Sequence, residues 1–284
     1  MSTQDPRGLL RELEQRARRR FGQHFLTEPR VAQGMVRSAK VEPGDRVVEI
    51  GPGLGMLTSC LLEAGAALTA VEIDRDLASF LRSRHPDLTL VEQDVLRIDW
   101  EEVCPGNGWK VVANLPYNIG TTVLMTLLRQ PSRFTSVTVM LQLEVVQRLM
   151  AVPGTKAYNS LSVEAQSRGR PVLQRTLKPG AFHPPPKVDS AIVRFDVYEK
   201  PKVGTCGPEV FDQVVRAAFA QRRKTLKNSL STRYPKALVV EALQRAEIEP
   251  GLRAEVLDLE SLVRLAEALT AFGATGSVKG ADGG

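Results

Sequence analysis

Short apolar runs set off by polar stops recur through the first two thirds of the chain, and their lengths predict strands alternating with helices. Residues 45–50 carry Val47, Val48 and Ile50; residues 67–71 read Ala-Leu-Thr-Ala-Val, 88–91 read Leu-Thr-Leu-Val, and 110–112 supply Lys-Val-Val ahead of Ala113. Behind the first run, Leu57, Cys60, Leu61 and Leu62 fit one helix face. The pattern continues with a helix over 122–128, a strand over 136–141, a helix over 143–149, a loop around Pro153-Gly154, and a helix through Leu161 and Ala165. Residues 172–177 and 190–195 alternate in the manner of an antiparallel pair. Such an order predicts an α/β fold on a mostly parallel sheet.

Residues 199–208, polar and rich in Pro and Gly, read as a linker into a second unit. Beyond it Phe211, Val214, Val215, Ala218, Phe219, Arg222 and Leu226 recur at helical spacing, an apolar face that turns basic at Arg222, Arg223, Lys224 and Lys227. Two more helices are expected near 237–246 and 261–272, and the glycine-rich tail 273–284 is expected to be disordered. The implied division is 1–203, a larger domain opening on a basic helix and a lid, and 204–272, a small helical unit.

The polar stops carry the chemistry. Residues 45–50 run into Gly51-Pro52-Gly53-Leu54-Gly55, a turn that lets backbone come close to a ligand at a helix N-terminus. The second strand ends in Glu72, about 20 residues beyond Gly51, the separation at which a carboxylate reaches ribose hydroxyls. The third closes on Glu92-Gln93-Asp94 and the fourth on Asn114. Ligands of open parallel sheets bind beyond the carboxyl ends of the strands, so Gly51, Glu72, Asp94 and Asn114 are expected to converge on one crevice. A glycine turn with a ribose-binding acid also suits NAD, and that reading stays open on these residues alone.

Asn114-Leu115-Pro116-Tyr117 narrows the choice. An exocyclic amine of adenine or cytosine is a poor nucleophile because its lone pair is delocalised into the ring. An enzyme that alkylates it must hold the N–H groups while the nitrogen turns pyramidal. The Asn114 side-chain carbonyl and the Leu115 backbone carbonyl supply two acceptors, Pro116 fixes φ and has no N–H, and the Tyr117 ring offers a stacking face for a splayed-out base. Downstream, Phe182-His183-Pro184-Pro185-Pro186 forms a stiff loop, since a triple proline cannot join a ladder.

The chain has 284 residues and a formal charge of +6, with a pI near 9.4, which favours a polyanionic partner. Cys60, Cys104 and Cys206 have no paired spacing, and no second His or Cys stands at ligand distance from His24, so neither a disulfide framework nor a metal site is expected. No apolar run nears the roughly 20 residues that span a bilayer. Acidic residues Asp5, Glu12 and Glu14 argue against reading the Arg-rich start as a presequence. A cytoplasmic, monomeric protein is expected. Arg18, Arg19 and Arg20, with Arg222, Arg223, Lys224 and Lys227, are expected to contact RNA.

On Arg20-Phe21-Gly22-Gln23-His24-Phe25-Leu26, Glu49-Ile50-Gly51-Pro52-Gly53-Leu54-Gly55, Asn114-Leu115-Pro116-Tyr117-Asn118-Ile119, Phe182-His183-Pro184-Pro185-Pro186-Lys187-Val188-Asp189-Ser190 and Gln221-Arg222-Arg223-Lys224-Thr225-Leu226, the chain resembles the bacterial small-subunit ribosomal RNA adenine N6,N6-dimethyltransferases. These are class I S-adenosylmethionine-dependent enzymes. The resemblance implies a Rossmann-like, mostly parallel seven-stranded sheet with helices on both faces and a small C-terminal all-α domain. It implies that His24 and Leu26 close over S-adenosylmethionine, that Gly51 and Gly53 approach its methionine part, Glu72 its ribose and Asp94 its adenine, and that Asn114 lies between donor and acceptor. The target adenine is then expected between Tyr117 and Phe182. The family more often carries Asn at position 24 and Lys at position 143, where this chain has His24 and Leu143. The implied substrate is two adjacent adenosines in a hairpin loop near the 3′ end of 16S rRNA in the 30S subunit, methylated by direct in-line displacement. Two neighbouring readings share these motifs: a methylase of large-subunit RNA or of DNA adenine, and a ribosome-assembly checkpoint for which the chemistry is a release signal.

Overall fold

A computed structural model describes residues 25–130 and 132–271. Seven strands form one sheet: β2 (Arg46–Ile50), β3 (Ala67–Val71), β4 (Thr89–Val91), β5 (Trp109–Asn114), β6 (Phe134–Gln142), β7 (Gly169–Leu177) and β9 (Ser190–Val197), in the spatial order β4-β3-β2-β5-β6-β9-β7. The first five pair in parallel and the last two join antiparallel. A separate two-stranded ribbon pairs β1 (Phe25–Leu26) with β8 (Phe182–His183). Each strand of the large sheet falls on an apolar run marked in the sequence.

Strand order reverses between β2 and β5, with β3 to one side and β6 to the other. Right-handed crossovers in opposite directions send α2 (Met56–Glu63) and α5 (Gly120–Leu128) to opposite faces. Leu57 and Leu61 of α2 pack with Val47, Leu68, Val112, Met140 and Ile192, all on one face. That face is also covered by α1 (Pro29–Ser38) through Val31, Ala32, Met35 and Val36. Leu141 points to the opposite face, and it lies so near the start of α5 that a Cβ on Gly120 would stand 2.5 Å from it. Buried on both faces, β2 and β5 read as near-continuous apolar runs, as parallel strands do. The reversal opens a crevice at the carboxyl ends of β2 and β5.

The chain divides into two compact units, 1–146 with 169–199, and 147–168 with 200–284. A single break near 203 was the expectation from sequence; instead the stretch between β6 and β7 belongs to the helical unit. Tyr158 and Val163 join Phe211, Val215, Leu226, Leu230, Leu243 and Leu265 in its core. Charge ties the same stretch in place: the buried Arg168 guanidinium donates to both carboxylate oxygens of Asp212 at 2.9 Å, and Arg216 donates to both of Glu164 at 3.0 and 2.8 Å. Asp212 and Arg216 lie on α8 (Pro208–Phe219), Glu164 on α7 (Ser160–Gln166). Neither link is visible in a local pattern, because each joins residues more than forty positions apart.

Candidate active site

Two adjoining cavities share Gly51 and Pro116 and form one crevice at the ends of the strands. Gly51 and Gly53 adopt φ of +64° and +58°, which favour glycine, and a Cβ on Gly51 would meet nothing within 4 Å. The turn therefore presents bare backbone to open space. Glu72, at the end of β3, is 2 % exposed, and its carboxylate accepts from the amides of Asp74 at 3.0 Å and Gly53 at 3.2 Å. The same group that faces the cavity also pins the glycine turn. Burial raises its pKa, against the opposing pull of those amides.

Asp94 lies beyond β4 and accepts from the Leu96 amide at 3.0 Å, the cap of a short helical turn. Ile73 and Leu96, apolar side chains left 48 % and 41 % exposed, line the same cavity as Glu72 and Asp94, together with Val95 and Ile119. A cavity with apolar walls and two carboxylates in its lining suits a flat heterocycle joined to a ribose. Local spacing did not single out these walls; the signal was an apolar residue directly after each acidic strand end.

Glu49 was also passed over, because it sits inside β2 where alternation hides it. It is 1 % exposed, lines the cavity, and accepts from Thr58 Oγ1 at 2.7 Å. Burial pushes its carboxyl up to about 8; Thr58 opposes this and the charge of Glu72 adds to it. A carboxyl whose pKa rises on folding favours the folded state fully below its ordinary value of 4.5, and that advantage is lost as pH climbs through about 8. Glu49→Gln has no such proton to lose. The melting temperature of the wild type, relative to the variant, is expected to fall between those two values and to level off above them. A difference that stays constant with pH would mean that Glu49 is ionised in the folded protein.

Asn114 closes β5 and lines the crevice with Leu115, Pro116 and Tyr117. Pro116 opens the turn whose carbonyl accepts from Ile119 N at 3.3 Å. The half-buried Tyr117 is anchored by a 2.5 Å hydrogen bond between its hydroxyl and Ser190 Oγ, which fixes the ring at the rim. Leu26 lines the cavity from β1. Phe182 does not: it is 4 % exposed, packs in the sheet core, and is paired in β8 with Leu26. It lies beside Leu26 across the ribbon, packed in the same core cluster. His24, Arg18, Arg19, Arg20 and the tail 273–284 lie outside the described residues.

The basic cluster of the second unit departs from the helix end expected for it. The helix α8 stops at Phe219; Arg222, Arg223 and Lys224 occupy an exposed turn, and Lys227 lies in α9 (Leu226–Leu230), which Thr225 caps by accepting from Asn228 N. Arg222 donates to the Lys156 carbonyl and has Glu255 at 3.8 Å. No cluster of His, Cys, Asp or Glu among the described residues is arranged to hold a metal ion. No described helix is long and apolar enough to cross a membrane.

The family profile for ribosomal RNA adenine dimethylases matches residues 14–271. The chain belongs to that family. It is 42% identical over 260 residues to the ribosomal RNA small subunit methyltransferase A of Pseudomonas aeruginosa, covering 90% of this chain and 96% of that one. It is 43% identical over 262 residues to the enzyme of the same name from Syntrophotalea carbinolica, covering 90% and 97%. Among solved structures, the 23S rRNA methyltransferase ErmE superposes with a TM-score of 0.66 at 28% identity, over 87% of this chain and 99% of that one. A dimethyladenosine transferase from Plasmodium falciparum gives 0.76 at 24% identity, over 88% and 98%, a likeness of fold. The seven-stranded sheet, with its crevice between β2 and β5, is therefore that of a class I methyltransferase fold.

Proposed function

We propose that the chain dimethylates the N6 amines of two adjacent adenosines in a hairpin loop near the 3′ end of 16S rRNA, within the 30S subunit, with S-adenosylmethionine as donor. Membership of the adenine dimethylase family and the small-subunit names of its relatives support the reaction and the substrate. The observation that carries the reading is that Asn114-Leu115-Pro116-Tyr117 opens onto the same crevice as Gly51 and Glu72. A dehydrogenase has no use for that juxtaposition.

The crevice fits the donor: open space over Gly51, a carboxylate at Glu72 for two hydroxyls, and a cavity lined by Ile73, Leu96 and Asp94. S-adenosylmethionine supplies an electrophilic methyl group on a sulfonium. Glu72 holds the ribose, Asp94 accepts from the adenine amine of the donor, and Gly51 and Gly53 admit the methionine part, with Leu26 and His24 as a lid. The Asn114 side-chain carbonyl and the Leu115 carbonyl accept from the target amine, and their bonds strengthen as the nitrogen becomes tetrahedral. Tyr117 stacks on the target base, and Phe182, paired with Leu26 across the ribbon, supports that side of the crevice. Unpaired loop bases need little energy to splay out. In this reading the protein acts as a cytoplasmic monomer.

Incubation with labelled S-adenosylmethionine and unmethylated small subunits is expected to yield N6,N6-dimethyladenosine, identified by mass. Labelled large subunits with unlabelled small ones would overturn the substrate. Docking is assigned to Arg18, Arg19 and Arg20 and to Arg222, Arg223, Lys224 and Lys227. Each phosphate neutralised contributes about 0.7–0.9 to the slope of log affinity against log salt, so replacing the last four by Gln is expected to lower that slope by up to roughly 3. Arg222 is held by Lys156 and Glu255 and should contribute least. An unchanged slope in filter binding would return the cluster to plain solvent.

A further inference from the structure

Helix α1 buries Val31, Ala32, Met35 and Val36 and turns Arg30, Gly34 and Arg37, successive turns of one face, toward solvent. The edge strand β7 carries a bulge: Leu173 pairs with Val193 but Arg175 pairs with Ile192, leaving Gln174 as the extra residue. Regular alternation would have sent Arg175 to the far face of the sheet. The bulge sends it to the side of Ile192 and Leu177, the face that α1 covers. Arg175 Nη1 and Arg37 Nη2 consequently each stand 3.9 Å from where a Gly34 Cβ would be, and the two nitrogens are separated by no more than twice that distance.

Neither guanidinium has a hydrogen-bond or ion-pair partner among the described residues. The acids of this edge are already taken. Asp196 pairs with Arg194 at 2.7 Å and Arg170 at 3.0 Å, and Asp189 pairs with Lys178 at 2.7 Å. Two like charges thus stand together with a gap between them and no carboxylate of the described residues to fill it. Guanidinium forks match the oxygens of a phosphate, and this spacing lets one phosphate meet both.

We propose that Arg37 and Arg175, astride Gly34, clamp a single backbone phosphate of the RNA substrate, at a place apart from both the crevice and the 222–227 cluster. The proposal rests on the RNA reading above. It makes the bulge in β7 a recognition feature and gives Gly34 the task of leaving room.

The test is binding of Arg37→Gln/Arg175→Gln to protein-free small-subunit RNA and to unmethylated subunits over a salt series. The salt slope is expected to fall by about 0.7–0.9, one phosphate, with each single variant losing most of it because the pair acts as a unit. Gly34→Asp should reproduce the loss by setting its own carboxylate between the guanidiniums, whereas Gly34→Ala should bind as wild type, its Cβ meeting nothing closer than 3.9 Å. Cofactor affinity and methylation at saturating RNA should be unchanged in all five variants. A double variant with the wild-type slope that methylates normally would overturn the clamp and leave the RNA reading intact. A wild type that shows no salt-dependent affinity for the RNA would overturn both. Loss confined to whole subunits, with protein-free RNA bound as before, would assign the pair to an acidic protein and overturn the RNA clamp.

Discussion

Asn114→Ala is expected to lower turnover on the order of 10²–10³-fold while cofactor affinity stays near wild type, the loss typical of removing one preorganised polar contact at a developing charge. Asn114 ends β5, a strand paired on both sides up to Ala113 and on the β6 side at Asn114, so the backbone leading to it is fixed by the sheet rather than by the side chain. The variant should therefore fold. The effect should also differ between the two transfers: a monomethylated amine keeps one N–H, and the Asn114 and Leu115 carbonyls then compete for it. Single-turnover methylation on unmodified and monomethylated RNA measures both. An unchanged first transfer would remove Asn114 from the chemistry.

Glu72→Ala is expected to weaken S-adenosylmethionine binding roughly 10- to 150-fold, since hydrogen bonds to a charged group contribute about 1.5–3 kcal/mol. The structure adds a second cause. Both oxygens already accept backbone amides, from Asp74 and Gly53, so the carboxylate shapes the glycine turn before any ligand arrives. Glu72→Gln should consequently lose much of the same affinity, because its amide group would point a donor at one of those N–H groups. Calorimetric titration of both variants is the measurement. Wild-type affinity in Glu72→Ala would exclude the residue from the site, and wild-type affinity in Glu72→Gln alone would exclude the effect through the turn.

The strands and their polar ends were legible because a parallel sheet makes both signals local. An apolar run marks each strand, and a residue at or just past its end lines the crevice. Gly51, Glu72, Asp94 and Asn114 needed only that rule to be brought to one edge. What escaped depended on tertiary pairing. Glu49 is an acid inside an apolar run, and only the approach of Thr58 across the β2–α2 turn shows how it is accommodated. Phe182 was placed beside the target base by motif, yet its neighbours along the chain could not show that pairing with Leu26 turns its ring into the core. The basic residues after Phe219 continued a helical spacing, and the Thr225 cap that restarts the helix was hidden among them. Helix α1 had a signal, with Val31, Ala32, Met35 and Val36 on one face, that was not taken up.

The second unit is assembled from two pieces of chain separated by β7, β8 and β9, and this has a consequence for the order of events at the ribosome exit. Residues 147–168 emerge well before α8 and the helices after it, carrying Glu164 and Arg168 whose counter-charges lie on α8, and Tyr158 whose hydroxyl donates to the Leu257 carbonyl at 3.0 Å. Until synthesis reaches that point the carboxylate of Asp212 and the guanidinium of Arg216 are not there to pair with Arg168 and Glu164. A nascent chain can complete the seven-stranded sheet as soon as β9 is out, but the helical unit closes last and all at once. A chain interrupted near residue 203 would carry a finished sheet and an orphaned α7, with charges and apolar surface meant for burial left bare, a species prone to aggregate.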